Sequence, residues 1–313
     1  MLFNKRGTGS QELYEISGTF EAKTDYHSVD SEVQNAMNVV ASFVGHGVIS
    51  AAETIYASEA PSSDEEAFLA AVRKPVAYLA ISMHARLSGL SHGDTGRKIK
   101  VDDNEKIPFE WMVDRDNLEM RERFFRAMSG LFSFLEGETV PSDALSAWHD
   151  SDAYKMAQSS VVRTAREFDA VYPIDGSAYM FYKMLPLIIE VQPRLRALIG
   201  DEKMEQLLAG SEASAPYAAL AVRYVVLESM VRAVERWSVS VFPIEVARRF
   251  SPTYQGNRAS SAATVTEVDW YLNKLKLQIK DVVLELKTTV SGNPYNGMEL
   301  IPANDPRKKY FTT

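Results

Sequence analysis

From Asp30 onward, apolar residues recur three and four positions apart: Val33, Ala36, Met37, Val40, Phe43 and Val44. On a helix of 3.6 residues per turn these fall on one stripe, which predicts an amphipathic helix. Gly45 and Gly47 interrupt it, and a second amphipathic piece is predicted from Ile49 to Ala57. Pro61 to Asp64 reads as a loop ending in N-cap chemistry. A long helix is predicted from Glu65 to about Leu90, carrying Phe68, Val72, Val76, Leu79, Met83 and Leu87 along one side. Pro75 lies inside it and predicts a kink or break.

The period then changes. Lys98 to Val101 alternates polar and apolar, Asp102 to Glu105 reads as an acidic turn, and Ile107 to Phe109 resumes as a second extended piece. Helix returns from about Arg115 to Glu136. The second half follows the same order. A connecting helix is predicted from Ala153 to Phe168, then helices over Tyr179–Ile199, ending at Gly200, Glu202–Ala209 and Pro216–Trp237. Extended residues Ser238 to Phe242 follow, with a second hairpin expected over Val239–Phe250, and a helix from about Thr264 to Lys287.

The pattern therefore predicts a mainly α protein with an internal duplication, residues 25–140 against 175–290, and short β-hairpin insertions. Four regions are expected: an N-terminal arm over 1–24, a first helical unit over 25–145, a second over 146–290, and an extended C-terminal tail over 291–313. The tail has three prolines, an Arg307-Lys308-Lys309 cluster and then Tyr310 and Phe311. Such a segment folds back on its own body or docks into another subunit. The four tryptophans, Trp111, Trp148, Trp237 and Trp270, are read as core anchors at element junctions.

Composition narrows the chemistry. The 313 residues are 46% apolar, enough for a sizeable core. There are no cysteines, so disulfides, thiolate metal sites and cysteine nucleophiles are excluded. A net charge of −8 argues against a general nucleic-acid-binding surface. No run approaches the roughly 20 apolar residues of a membrane span, and the N-terminal residues lack a signal-peptide core. The expectation is a chain made and kept inside a cell, with no membrane partner.

The stretch Ser91 to Trp111 is where phosphate or metal chemistry would be sought. A phosphate loop needs a strand before its glycines and a helix after them, and Gly93 to Lys98 has the reverse context. Asp102, Asp103, Asn104 and Glu105 are contiguous, unlike the alternating ligands of a calcium loop, and read as a solvated turn. None of the five histidines, His27, His46, His84, His92 and His149, has metal-ligand spacing. A nucleophile elbow and a dinucleotide fingerprint are both missing. No cofactor is expected. The one enzymatic alternative is a site assembled from scattered residues such as His84, Arg86 and Glu110.

Several runs carry a resemblance. Lys74-Pro75-Val76-Ala77-Tyr78-Leu79-Ala80, Arg97-Lys98-Ile99-Lys100-Val101, Pro108-Phe109-Glu110-Trp111 and Phe134-Leu135-Glu136 resemble segments of phage and prophage proteins of gut Bacteroidales. So do Trp148 to Tyr154, Thr164 to Phe168, Leu185 to Ile188 and Ile199 to Glu202. The helical unit resembles that of head-tail connector (adaptor) proteins of tailed phages, although this chain is about twice the length of the simple members. The resemblance implies a structural virion protein in the neck, assembled in the host cytoplasm and without catalysis. It implies a ring of copies, usually twelve in that family, between the portal protein and downstream tail or neck proteins, through which double-stranded DNA passes non-specifically. Two contact sets follow. Arg307, Lys308, Lys309, Tyr310 and Phe311 are expected to meet the portal or a neighbouring subunit. Lys98, Lys100, Asp102 and Asp103 are expected to form an inter-subunit hairpin. The other virion reading is a tail-completion or capsid-associated protein.

Overall fold

A computed structural model describes residues 1–88, 90–93, 96–99, 109–236, 248–249, 260–261 and 264–291. Among these the chain is mainly helical, with twelve α-helices and two short 3-10 turns. The first four helices are α1 (Gly9–Ser17), α2 (Asp30–Val44), α3 (His46–Ala57) and α4 (Ser63–Ser88). A two-stranded ribbon, β1 (Leu90–Gly93) and β2 (Gly96–Ile99), precedes α5 (Glu110–Leu135). Three short helices follow, α6 (Ser142–His149), α7 (Asp152–Gln158) and α8 (Ala165–Asp169). The second bundle is α9 (Ala178–Ile199), α10 (Asp201–Leu208), α11 (Ala215–Arg236) and α12 (Val265–Ser291). Between α11 and α12, β3 (Arg248–Arg249) pairs with β4 (Ser260–Ser261).

Helix starts are set by local chemistry. Ser62 and Glu65 cap each other at α4: the Glu65 amide donates to Ser62 Oγ at 3.3 Å, and the Ser62 amide donates to Glu65 Oε2 at 2.7 Å. Thr164 with Glu167 at α8, and Thr264 with Glu267 at α12, repeat the exchange. Each satisfies two amides that the helix itself cannot. The Ser62 amide, and then the Ser62 hydroxyl, hold the Glu65 carboxyl below its ordinary range.

The apolar stripes read from sequence form the core. Val33, Ala36, Val40 and Val44 of α2 pack inward against α4, as Ile188, Val191, Leu195 and Ile199 of α9 do against α11. Helix α5 joins the two bundles by packing on α4 and on α9. Phe125 stacks on Tyr179 at 4.8 Å and Phe132 on Tyr182 at 4.0 Å across the α5–α9 contact.

Several expectations are corrected. The ribbon at Lys98 pairs backward, with Lys98 opposite Ser91 and Gly93 opposite Gly96. The forward hairpin expected across Asp102 and Asp103 to Ile107 falls, with Lys100, outside the described residues. Likewise, of the hairpin expected over Val239–Phe250, only Arg248 and Arg249 are described, and they pair with Ser260 and Ser261. The single connecting helix expected over Ala153–Phe168 is two helices. Thr164 starts a new capped helix, and Gln192 holds the intervening backbone by accepting from the Val161 amide at 2.6 Å. Helix α4 runs through Pro75 as one element.

Residues 1–24, expected as an arm, are packed. Leu2, Phe3 and Leu13 are fully buried. The Glu12 carboxylate accepts from the Asn4 amide at 3.0 Å and the Tyr56 hydroxyl at 2.8 Å, and pairs with Arg73 of α4. The Arg73 guanidinium lies 4.6 Å from the Phe3 ring centre and 5.3 Å from that of Tyr56. This cluster fastens the first residues to α3 and α4.

Candidate functional site

Two features could engage another molecule. The first is a cleft of about 520 Å³ where the C-terminal end of α5 meets α6, α7, α8 and α9. Its aromatic wall is ordered by ring contacts. Trp148, fully buried, presents an edge-on arrangement to Tyr182 at 5.5 Å and to Tyr154 at 5.8 Å, and His149 lies 4.4 Å from Tyr154. The Tyr182 hydroxyl donates to Glu136 Oε1 at 2.6 Å. Burial, then this carboxylate, pushes the Tyr182 phenol far above its ordinary range, so it remains a neutral donor.

Arg163 borders the cleft, but its guanidinium donates to the carbonyls of Ser160 and Leu208 and is used in holding the chain. The exposed Glu136 carboxylate offers an acceptor at the cleft, as does Glu167, whose Oε2 already accepts from the Arg163 and Thr164 amides. The cleft can therefore hold an apolar or aromatic side chain that also offers a donor to Glu136. It has the chemistry of a binding or packing seam.

The second feature is the outer side of α12. Leu275, Ile279, Val282 and Leu286 are buried on its inner side. Trp270, Leu277 and Leu284, seven residues apart, are 62%, 53% and 41% exposed. A seven-residue period keeps side chains in one nearly straight row along a helix, here on the opposite side from the buried stripe. Lys274 lies 5.8 Å from the Trp270 ring centre. The start of α5 is also apolar and exposed, at Phe109, Trp111, Met112 and Val113.

These exposures correct the reading of the tryptophans. Trp148 is the core anchor expected, whereas Trp111 and Trp270 face outward, and Trp237 lies outside the described residues. The expected contact set Arg307, Lys308, Lys309, Tyr310 and Phe311 also lies outside them. Of His84, Arg86 and Glu110, only the His84 side chain is described; it packs edge-on to Phe20 at 6.1 Å. The seven-residue row lies on the opposite side of α12 from its buried stripe, and its period is visible in the sequence.

Among the described residues, no three His, Asp or Glu side chains gather to hold a metal, and no helix is long and apolar enough to cross a membrane. Comparison with known families, curated proteins and solved structures finds no match to this chain.

Proposed function

We propose that the chain is a structural virion protein of a tailed phage, an adaptor that forms a ring in the neck between the portal protein and the downstream tail or neck proteins. Double-stranded DNA passes through the ring without specific contacts, and the work of the protein is assembly rather than catalysis. The carrying observation is the pair of exposed apolar surfaces, at the start of α5 and along α12, on a chain whose core is otherwise well buried. Contiguous apolar surface of this kind marks association sites.

The same reading takes the two bundles as an internal duplication. It is supported by one register, Gly45 to Gly200, that relates eight pairs of buried positions, Val33 to Ile188, Val40 to Leu195, Val44 to Ile199, Ile49 to Met204, Ala52 to Leu207, Met120 to Leu275, Phe124 to Ile279 and Leu131 to Leu286, although buried Phe68 and Phe132 fall opposite exposed Arg223 and Lys287. Gly45 (φ 92, ψ 146) and Gly200 (φ 87, ψ 162) adopt nearly the same conformation, each closing one helix and opening the next. Hairpin residues Lys98, Lys100, Asp102 and Asp103 supply inter-subunit contacts, and Arg307 to Phe311 reach the portal or a neighbour.

Mass photometry of the chain alone, and mixed with the portal encoded beside it, tests the proposal. The expected result is a defined multimer with the portal, lost when residues 293–313 are removed. A chain that leaves the portal's mass unchanged at micromolar concentration overturns it.

A further inference from the structure

We propose that the cleft at the C-terminal end of α5 is a binding site for an alkylammonium group, carried by a small amine or by a lysine side chain. This goes beyond the neck assignment and does not rest on it, because it concerns the chemistry of one cleft and not the place of the chain in a particle.

At about 520 Å³ the cleft has the size of a small-ligand site. Leu135, Leu145 and Ala157 supply apolar lining for a short hydrocarbon body. Among the rings of the wall, Trp148 is fully buried and Tyr182 is stacked on Phe132. Tyr154 is only partly buried, with His149 against it, and is the ring left with open surface. An aromatic ring attracts a cation through its quadrupole, an interaction that a neutral donor of the same size does not gain.

Two carboxylates share the lining, and each is half committed. Glu136 Oε1 accepts the Tyr182 hydroxyl, and Glu167 Oε2 accepts the Arg163 and Thr164 amides. Glu136 Oε2 and Glu167 Oε1 accept no bond among the described residues. That arrangement selects among cations. A guanidinium is held best by both oxygens of one carboxylate, in a planar fork. Single oxygens on separate carboxylates suit an ammonium, whose three donors diverge.

The charge around the cleft agrees. Residues 136–169, which supply most of the lining, carry seven carboxylates against Lys155, Arg163 and Arg166, and so hold half of the net charge of −8. Arg163 is the one lysine or arginine on the lining itself, and its guanidinium is engaged by the Ser160 and Leu208 carbonyls. A cationic ligand therefore meets an excess of negative charge, and an anionic ligand is repelled.

The test uses the full chain with n-butylammonium chloride as probe, and 1-butanol as a neutral probe of the same heavy-atom count, at constant ionic strength. Saturation-transfer NMR follows both. The expected result is saturable binding of the amine with a dissociation constant of about 1 mM, within reach of so small a ligand. The alcohol is expected to bind roughly tenfold more weakly, lacking the charge that the ring and carboxylates recognise. Glu136→Gln keeps an acceptor for Tyr182, removes the charge, and is expected to weaken the amine roughly fivefold. Glu138→Gln, at an exposed carboxylate outside the lining, is expected to leave it unchanged. Equal binding of amine and alcohol to the unaltered chain overturns the proposal, as does the absence of saturable binding by the amine. Equal weakening in the two variants also overturns it, since the attraction then belongs to the diffuse charge of the segment. A blocked alanine–lysine–alanine peptide separates the sources. Binding tighter than that of n-butylammonium supports the site as one for a partner's lysine, and weaker binding supports it as one for a small amine.

Discussion

Arg73 and Glu12 form a pair in which both partners keep only 15–18% side-chain exposure, and the pair has aromatic rings on either side. Removing one partner leaves the other's charge poorly solvated, which is costlier than the pair itself is favourable. Arg73→Ala is expected to cost roughly 2–4 kcal/mol, somewhat under the range for a fully buried pair. The double variant Glu12→Leu with Arg73→Met is expected to recover most of that loss, as coupled neighbours do. Urea unfolding of these two variants and of the single variants Glu12→Leu and Arg73→Met checks it; a double-variant cost equal to the sum of its two single costs would show that the charges act independently. Nothing in the local pattern of Gly9 to Ser17 announces this anchor. Helix α1 has few apolar residues, and its place depends on a partner 61 positions away.

Gly45 and Gly200 each turn the chain through a conformation that side-chain-bearing residues rarely enter. Gly200→Ala meets open space, so its cost is backbone strain alone, about 1–3 kcal/mol. At Gly45 an added Cβ also lies 3.1 Å from the Ser151 Cβ, so Gly45→Ala is expected to cost more. Denaturant midpoints of the two variants give the order; the reverse order would mean that the contact with Ser151 yields freely. These glycines, as helix stops, and the inner stripe of α2 were legible because each is a local signal. The register of the ribbon was not, because Gly93 and Gly96 compete with the acidic turn at Asp102 for the same strand. At Pro75 the helix continues without a break. A proline removes one hydrogen bond, and a helix packed on α2 and α5 retains the rest. The outward tryptophans show the limit of reading large apolar residues as core, since much of a folded protein's surface is itself apolar.

At the scale of the molecule, the two bundles share one core through the α5–α9 aromatic contacts, and this has a consequence for alkaline stability. Burial raises the phenols of Tyr26 and Tyr56 in the first bundle, Tyr179 and Tyr182 at the junction, and Tyr224 and Tyr271 in the second; Tyr56 and Tyr179 are pushed up to about 12. For each, the folded state holds its proton at a pH where the unfolded chain, titrating near 10, has released it. The sign is fixed: this contribution is fully present below pH 10 and is lost as pH rises through the folded values. In the interval between, each retained phenolic proton steepens the fall by about 1.4 kcal/mol per pH unit. Stability is therefore expected to be insensitive to these groups up to pH 10, and then to collapse in one transition that takes both bundles together. Absorbance at 295 nm and far-UV circular dichroism, followed across the same titration, read phenol ionisation and helix loss. Coincident late transitions, with the slope reduced by about one proton in Tyr182→Phe, support a single cooperative molecule. Two separated helix-loss steps would mean that the junction at Tyr179 and Tyr182 opens before either bundle melts.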